Sequence, residues 1–114
     1  MLSFKDQDPG NWGPEFAEST RKAYEVRYTM LPFLYSLFFQ HRIEGNTVVR
    51  ALWHEYPMDS TALSIDRQFL WGSGLLISPV LDEGQVTVDA YFPDARWYSY
   101  YDGQEVIPLV KNKY

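Results

Sequence analysis

Between residues 15 and 44 apolar side chains recur at helical spacing (Phe16, Ala23, Val26, Met30, Phe33, Leu34, Leu37 and Phe38), and just past Gly45 that spacing gives way to a β-branched run. This change of period constrains the fold more than any compositional figure, because repeats of 3.6 and 2 residues offer their apolar faces to different kinds of partner. Gly13-Pro14 marks where the helix can begin, since the fixed φ and missing amide of proline are harmless in a first turn. Gly45 is its natural stop. Pro32 falls inside the pattern, where it lacks the amide that would bond the carbonyl of Tyr28 and crowds the preceding turn. The segment is therefore expected as a kinked helix or as two successive helices.

Beyond Gly45, residues 47–53 (TVVRALW) read as a largely apolar strand of the kind buried on both faces of a parallel sheet. Asp59-Ser60-Thr61 offers a turn or helix cap, and residues 65–71 are expected as a short helix closed by Gly72. Residues 75–80 follow as a buried strand. Val86, Val88 and Ala90 then alternate with Thr87 and Asp89, and residues 96–101 form an aromatic strand ending at the hairpin-type signal Asp102-Gly103. The pattern as a whole is α/β followed by β: one helical segment feeding one strand, then a stretch of antiparallel character.

Composition narrows the function classes. The chain of 114 residues fits one ordinary domain, and its seven Phe, four Trp and nine Tyr supply more ring surface than a single small core can hide. Some of these rings are expected to meet other parts of a larger protein or a ligand. The net charge is -5, with no basic cluster longer than Arg21-Lys22, which excludes the cationic stripe that nucleic-acid binding needs. There are no cysteines, hence no disulfide framework and no thiolate metal site. No apolar run approaches the ~20 residues that span a bilayer, and the N-terminal MLSFKDQDPG has no basic stretch followed by an apolar one. No internal repeat or low-complexity tract is present.

Five blocks in order carry a family resemblance: DQDPGNWG (6–13), RYTMLPFLYSLFFQH (27–41), TVVRALWHEYP (47–57), QFLWGSGLLISPVL (68–81) and YFPDARWYSYYDG (91–103). Together they resemble the last part of glycoside hydrolase family 31, the family of α-glucosidases, maltase-glucoamylases and sucrase-isomaltases. Departures are local. Ala51 stands where the family usually has proline and Trp53 where a smaller apolar residue is common, and the likeness fades in QEVIPLVKNKY after Gly103, so the C-terminus reads as truncated or divergent. The resemblance implies that residues 1–72 come from the end of a (β/α)8 catalytic barrel and residues 73–114 from the start of a proximal C-terminal β-domain, part of an antiparallel β-sandwich. It implies a retaining α-glucosidase acting on terminal α-linked glucose of maltose-type oligosaccharides, with no cofactor and a secretory, lysosomal or extracellular location. Both catalytic aspartates of the family lie on earlier strands, so no catalytic residue is assigned here and the isolated chain is expected to be inactive. The rest of the barrel, in trans, is then a natural partner.

Individual residues leave alternatives open. Catalytic groups of βα barrels project from the C-terminal ends of strands, which nominates His54 and Glu55, although HEYP also reads as a strand closure with both side chains bonded locally. Asp59 and Asp66 supply further carboxylates, but retaining glycosidases need two carboxyl groups ~5 to 5.5 Å apart, and no spacing in the sequence establishes that. Asp6, Gln7 and Asp8 lie in a loop that the resemblance places near the rim of the sugar pocket. Their other reading is a turn in which they bond backbone amides ahead of Pro9-Gly10. His41 and His54 are too few and too separated to hold a metal. Trp97, Tyr98, Tyr100 and Tyr101 alternate along one strand, either as core or as a flat platform for sugar rings, the latter defining a non-catalytic carbohydrate-binding or interaction module.

Overall fold

The structure, a computed structural model, describes residues 8–107, and the chain divides into two compact units, Met1–Asn46 and Thr47–Tyr114. In the first unit a 3-10 turn over Pro9–Trp12 leads into helix α1 (Pro14–Thr29) and then α2 (Leu31–Glu44). The Asp8 carboxylate accepts the Gly10 amide at 2.8 Å and sets the opening turn. Pro14 occupies the first turn of α1, as expected for a residue with no amide to satisfy. The two helices part at Met30, two residues before Pro32, because the proline can continue only a first turn and not an interior one. Gly45 ends α2 at φ 76°, the left-handed conformation that costs glycine nothing, and its amide bonds the His41 carbonyl at 3.0 Å.

In the second unit three short strands, β1 (Val49–Arg50), β2 (Phe69–Trp71) and β3 (Leu75–Ile77), form an antiparallel sheet in the order β1-β2-β3. Val49 pairs with Trp71 and Arg50 with Leu70; Phe69, Leu70 and Trp71 pair with Ile77, Leu76 and Leu75. A separate hairpin joins β4 (Trp97–Tyr98) to β5 (Glu105–Val106). Its loop turns at Gly103, φ 69°, whose amide bonds the Ser99 carbonyl at 2.9 Å. Leu52, Ala62, Leu70 and Trp97 form the core, flanked by Tyr56, Ile65, Leu76, Tyr91, Phe92 and Val106.

Several expectations are corrected. Only Val49–Arg50 of residues 47–53 is strand, and it pairs antiparallel with β2 instead of lying in a parallel sheet. The chain then turns into a single helical turn, α3 (Leu52–Glu55), which drives Leu52 into the core. Residues 65–71 are not a helix. Asp59 Oδ1 accepts the amides of Thr61 at 2.9 Å and Ala62 at 3.3 Å, so the helical turn forms earlier, at Ala62–Ser64, and the chain is extended again by Phe69. Residues 86–90 join no ladder, and Val86 and Val88 are exposed like Thr87 and Asp89, so the alternation of the sequence does not become an inner and an outer face. The strand expected over 75–80 ends at Ile77, ahead of Pro79, which has no amide to donate.

Candidate functional site

The expected site residues separate into distinct local environments. Glu55, carried by α3, pairs with the Arg50 guanidinium on β1, and both side chains are mostly shielded, 22% and 11% exposed. Arg50 also donates from Nε to the Thr47 carbonyl at 2.8 Å, so its planar fork is held from two sides. His54 Nδ1 lies 3.4 Å from Glu55 Oε1. The neighbouring Tyr56 phenol is pushed above its ordinary pKa, first by burial and then by the Glu55 charge. Glu55 is thus engaged locally by the Arg50 guanidinium and the His54 ring, the strand-closing arrangement that HEYP also allows.

Asp59 has a different set of partners. Besides the two amides on Oδ1, its Oδ2 accepts the Tyr91 hydroxyl at 2.6 Å, and that bond, followed by those from Ala62 and Thr61, holds the carboxyl below its ordinary pKa. Buried Gln68 engages the backbone of the same Tyr91: Nε2 donates to Ser78 Oγ at 2.8 Å and to the Tyr91 carbonyl at 3.1 Å, while Oε1 accepts the Tyr91 amide at 2.8 Å. Asp66 stands apart, on the wall of an open groove of about 260 Å³.

The remaining nominees resolve as follows. Asp6 and Gln7 lie outside the described residues, whereas Asp8 takes the turn-setting role. His41 Nδ1 is 2.6 Å from the Asn46 carbonyl and closes the end of α2. Among the described residues no group of three His, Asp or Glu gathers to hold a metal, and no helix is long and apolar enough to cross a membrane. Trp97 is 9% exposed, with its indole amide donated to the Pro93 carbonyl at 2.9 Å, so it cannot serve as a stacking surface; Tyr98, Tyr100 and Tyr101 are exposed. Arg50, Gln68 and Tyr91 were not singled out by sequence. A cation inside an apolar strand, five residues before a carboxylate, was the one available signal.

Glu55, Asp59 and Asp66 are each engaged or placed separately, and nothing in these contacts assembles a pair of reacting carboxylates. Comparison with known proteins supplies the context. The profile described as the glycosyl hydrolase family 31 C-terminal domain matches residues 45–113. The chain belongs to glycosyl hydrolase family 31. It is 50% identical over 102 residues to a human protein named probable maltase-glucoamylase 2, covering 90% of this chain and 4% of that one. It is 44% identical over 98 residues to mouse lysosomal alpha-glucosidase, covering 86% and 10%. Among solved structures, a Flavobacterium johnsoniae GH31 dextranase complexed with glucose superposes with a TM-score of 0.81 at 33% identity, over 87% of this chain and 12% of the dextranase. The chain therefore spans 4% to 10% of these curated family 31 relatives.

Proposed function

We propose that this chain is part of a retaining α-glucosidase that hydrolyses terminal α-linked glucose from maltose-type oligosaccharides. In this reading residues 1–72 belong to the end of the catalytic (β/α)8 barrel and residues 73–114 begin the proximal β-domain. The junction falls at the turn of the β2–β3 hairpin, so segments from the two domains share one sheet. The observation that carries the reading is identity of 44% to 50%, over most of this chain, to proteins named for α-glucosidase or maltase-glucoamylase activity. The two aspartates that act as nucleophile and acid/base lie elsewhere in the longer protein, and the rest of the barrel completes the sugar pocket.

Surface chemistry supports an incomplete assembly. Helix α2 carries apolar side chains on all sides, and Tyr35, Phe38, Phe39 and Ile43 are exposed. A helix of that kind is stable in the interior of a larger fold, where neighbouring elements take its apolar surface out of water. The same reading assigns Asp6 and Gln7 to the rim of the sugar pocket.

The test is enzymatic. Purified chain should release no glucose from maltose or an aryl α-glucoside, because no pair of carboxylates flanks a glycosidic bond. Co-production with the preceding barrel of a family 31 α-glucosidase should restore hydrolysis with retention. Turnover by the chain alone that Glu55→Gln abolishes would overturn the reading and make Glu55 a catalytic group.

A further inference from the structure

Residues 85–90 (QVTVDA) run without helix, turn or bend and join no ladder, yet the run is held at both ends. Before it the chain turns at Gly84, φ 75°, where the Gln85 amide bonds the Asp82 carbonyl at 3.3 Å and Asp82 pairs with Arg67 at 2.6 Å. After it, Gln68 takes both backbone groups of Tyr91 and Asp59 takes the Tyr91 hydroxyl. Between these anchors the backbone amides and carbonyls of residues 86–90 make no hydrogen bond among the described residues. An extended segment fixed in this way is an open strand edge, and it loses little freedom when another strand is added to it.

In an extended chain the amide and carbonyl of one residue point to the same side, and the side alternates along the chain. Those of Tyr91 face Gln68, so those of Val86, Val88 and Ala90 face the opposite, open side. Natural edges are blunted by lysine or proline, and residues 85–90 contain neither. The segment is also complementary to itself. An antiparallel pairing centred on Thr87 sets Thr87 against Thr87, Val86 against Val88 and Gln85 against Asp89, with no charge opposite its like. The two Val86–Val88 pairs then each exchange two hydrogen bonds on the open side. Four valines share one face of the pairing, where Val86 and Val88 of the single chain are 91% and 38% exposed. Centring on Asp89 would oppose two carboxylates, centring on Val86 would set Glu83 against Asp89, and centring on Val88 would leave Val86 against Ala90.

We propose that residues 85–90 are an association edge through which two copies of this chain join by two-fold antiparallel strand pairing centred on Thr87. The two-fold closes on itself and gives dimers, not fibres. A single short strand on each side buries less than the ~1,200 Å² of standard complexes, so the association is weak. The net charge of -5 on each copy opposes approach, and salt relieves that repulsion. The role of this edge does not depend on which glycosidic bond the longer protein cleaves.

The chain has no cysteine, so single introduced thiols report the pairing without background. Thr87→Cys should form a disulfide-linked dimer under mild oxidation about tenfold or more faster than Ser60→Cys, an exposed position away from the edge, since an antiparallel pair without mutual hydrogen bonds brings its Cα atoms to ~4.5 Å. Sedimentation of the full chain should give a dissociation constant of about 10 μM to 1 mM that tightens as salt is added. Val88→Pro removes one of the pairing amides and should leave the chain monomeric at the same concentrations, with an unchanged melt because Val88 lies outside the core. Equal disulfide rates for the two cysteine variants would overturn the proposal. So would association that Val88→Pro leaves at parental strength, which would pass it to another surface such as the exposed rings of α2. A parent chain that stays monomeric would leave the edge to another element of the longer protein and overturn it equally.

Discussion

Replacing Trp97 with alanine removes the largest side chain of the second unit's core. The indole packs with Leu52, Ala62 and Leu70, meets Phe92 edge-on at 6.1 Å and 62°, and donates to the Pro93 carbonyl at 2.9 Å. Truncating a buried Trp to alanine costs about 3 to 5 kcal/mol, through lost transfer energy and the cavity left behind. Against a typical domain stability of ~5 to 15 kcal/mol, that is about a fifth of the total or more. Trp97→Phe separates the contributions. It retains a ring to meet Phe92 but deprives the buried Pro93 carbonyl of its donor, at about 1 to 3 kcal/mol. Urea denaturation monitored by circular dichroism should show an unchanged slope and, for the alanine variant, a midpoint lower by roughly 2 M if the slope is near 2 kcal/mol/M. Maltose should leave the Trp fluorescence unaltered in the parent chain. An alanine variant within ~1 kcal/mol of the parent, or a saturable glucan response that the substitution removes, would refute the core assignment and revive the stacking platform.

Glu55→Gln should destabilise by about 1 to 3 kcal/mol because it leaves the shielded Arg50 without its counter-charge, whereas replacing both partners by apolar residues should cost less than the sum of the singles; additive denaturation energies would contradict this. The Asp59 carboxyl has a folded pKa below its unfolded value near 4, so its contribution is present above about pH 4 and is lost as pH falls through the folded pKa. Tyr91→Phe removes the main cause of that depression, so the stability gap between variant and parent should shrink from pH 7 to pH 3, and an equal gap at both would argue against the bond. Gly45→Ala places a Cβ in open space but in a left-handed conformation, and should lower the stability of the first unit by about 1 to 2 kcal/mol, measured as a shift in the helical melt; a neutral effect would mean that α2 can end otherwise.

What was legible in the sequence was what single residues enforce locally. Pro32 and Gly45 dictate where helices part and stop by backbone geometry alone, and the hairpin at Asp102-Gly103 follows from the same kind of constraint. The alternation around Trp97 gave core and surface as the two readings of the indole, and packing with Leu52 and Leu70 decides for core. Residues 47–53 show the limit. Their β-branched character signals extension, but the strand's partner, β2, begins some twenty residues later, and no local period specifies whether pairing is parallel or antiparallel. The misplaced helix at 65–71 failed because Asp59 captures the amides of Thr61 and Ala62 and moves the turn upstream. Of the site, the carboxylates were visible as residue types, but their partners were not: the Tyr91–Asp59 bond spans 32 residues and the Gln68–Tyr91 bonds span 23, distances over which side-chain chemistry leaves no periodic trace.

Gln68 offers the Tyr91 backbone both a donor and an acceptor, which is what a neighbouring strand's peptide group would offer. One carboxamide thus stands in for a rung of sheet, and it does so without fixing how many residues separate Ser78 from Tyr91. Insertions or deletions in the intervening loop need not propagate into the register of β2 and β3, because the anchor is a side chain and not a ladder. For lineage divergence and for engineering alike, that loop is the place where chain length can drift while the core beneath it keeps its alignment.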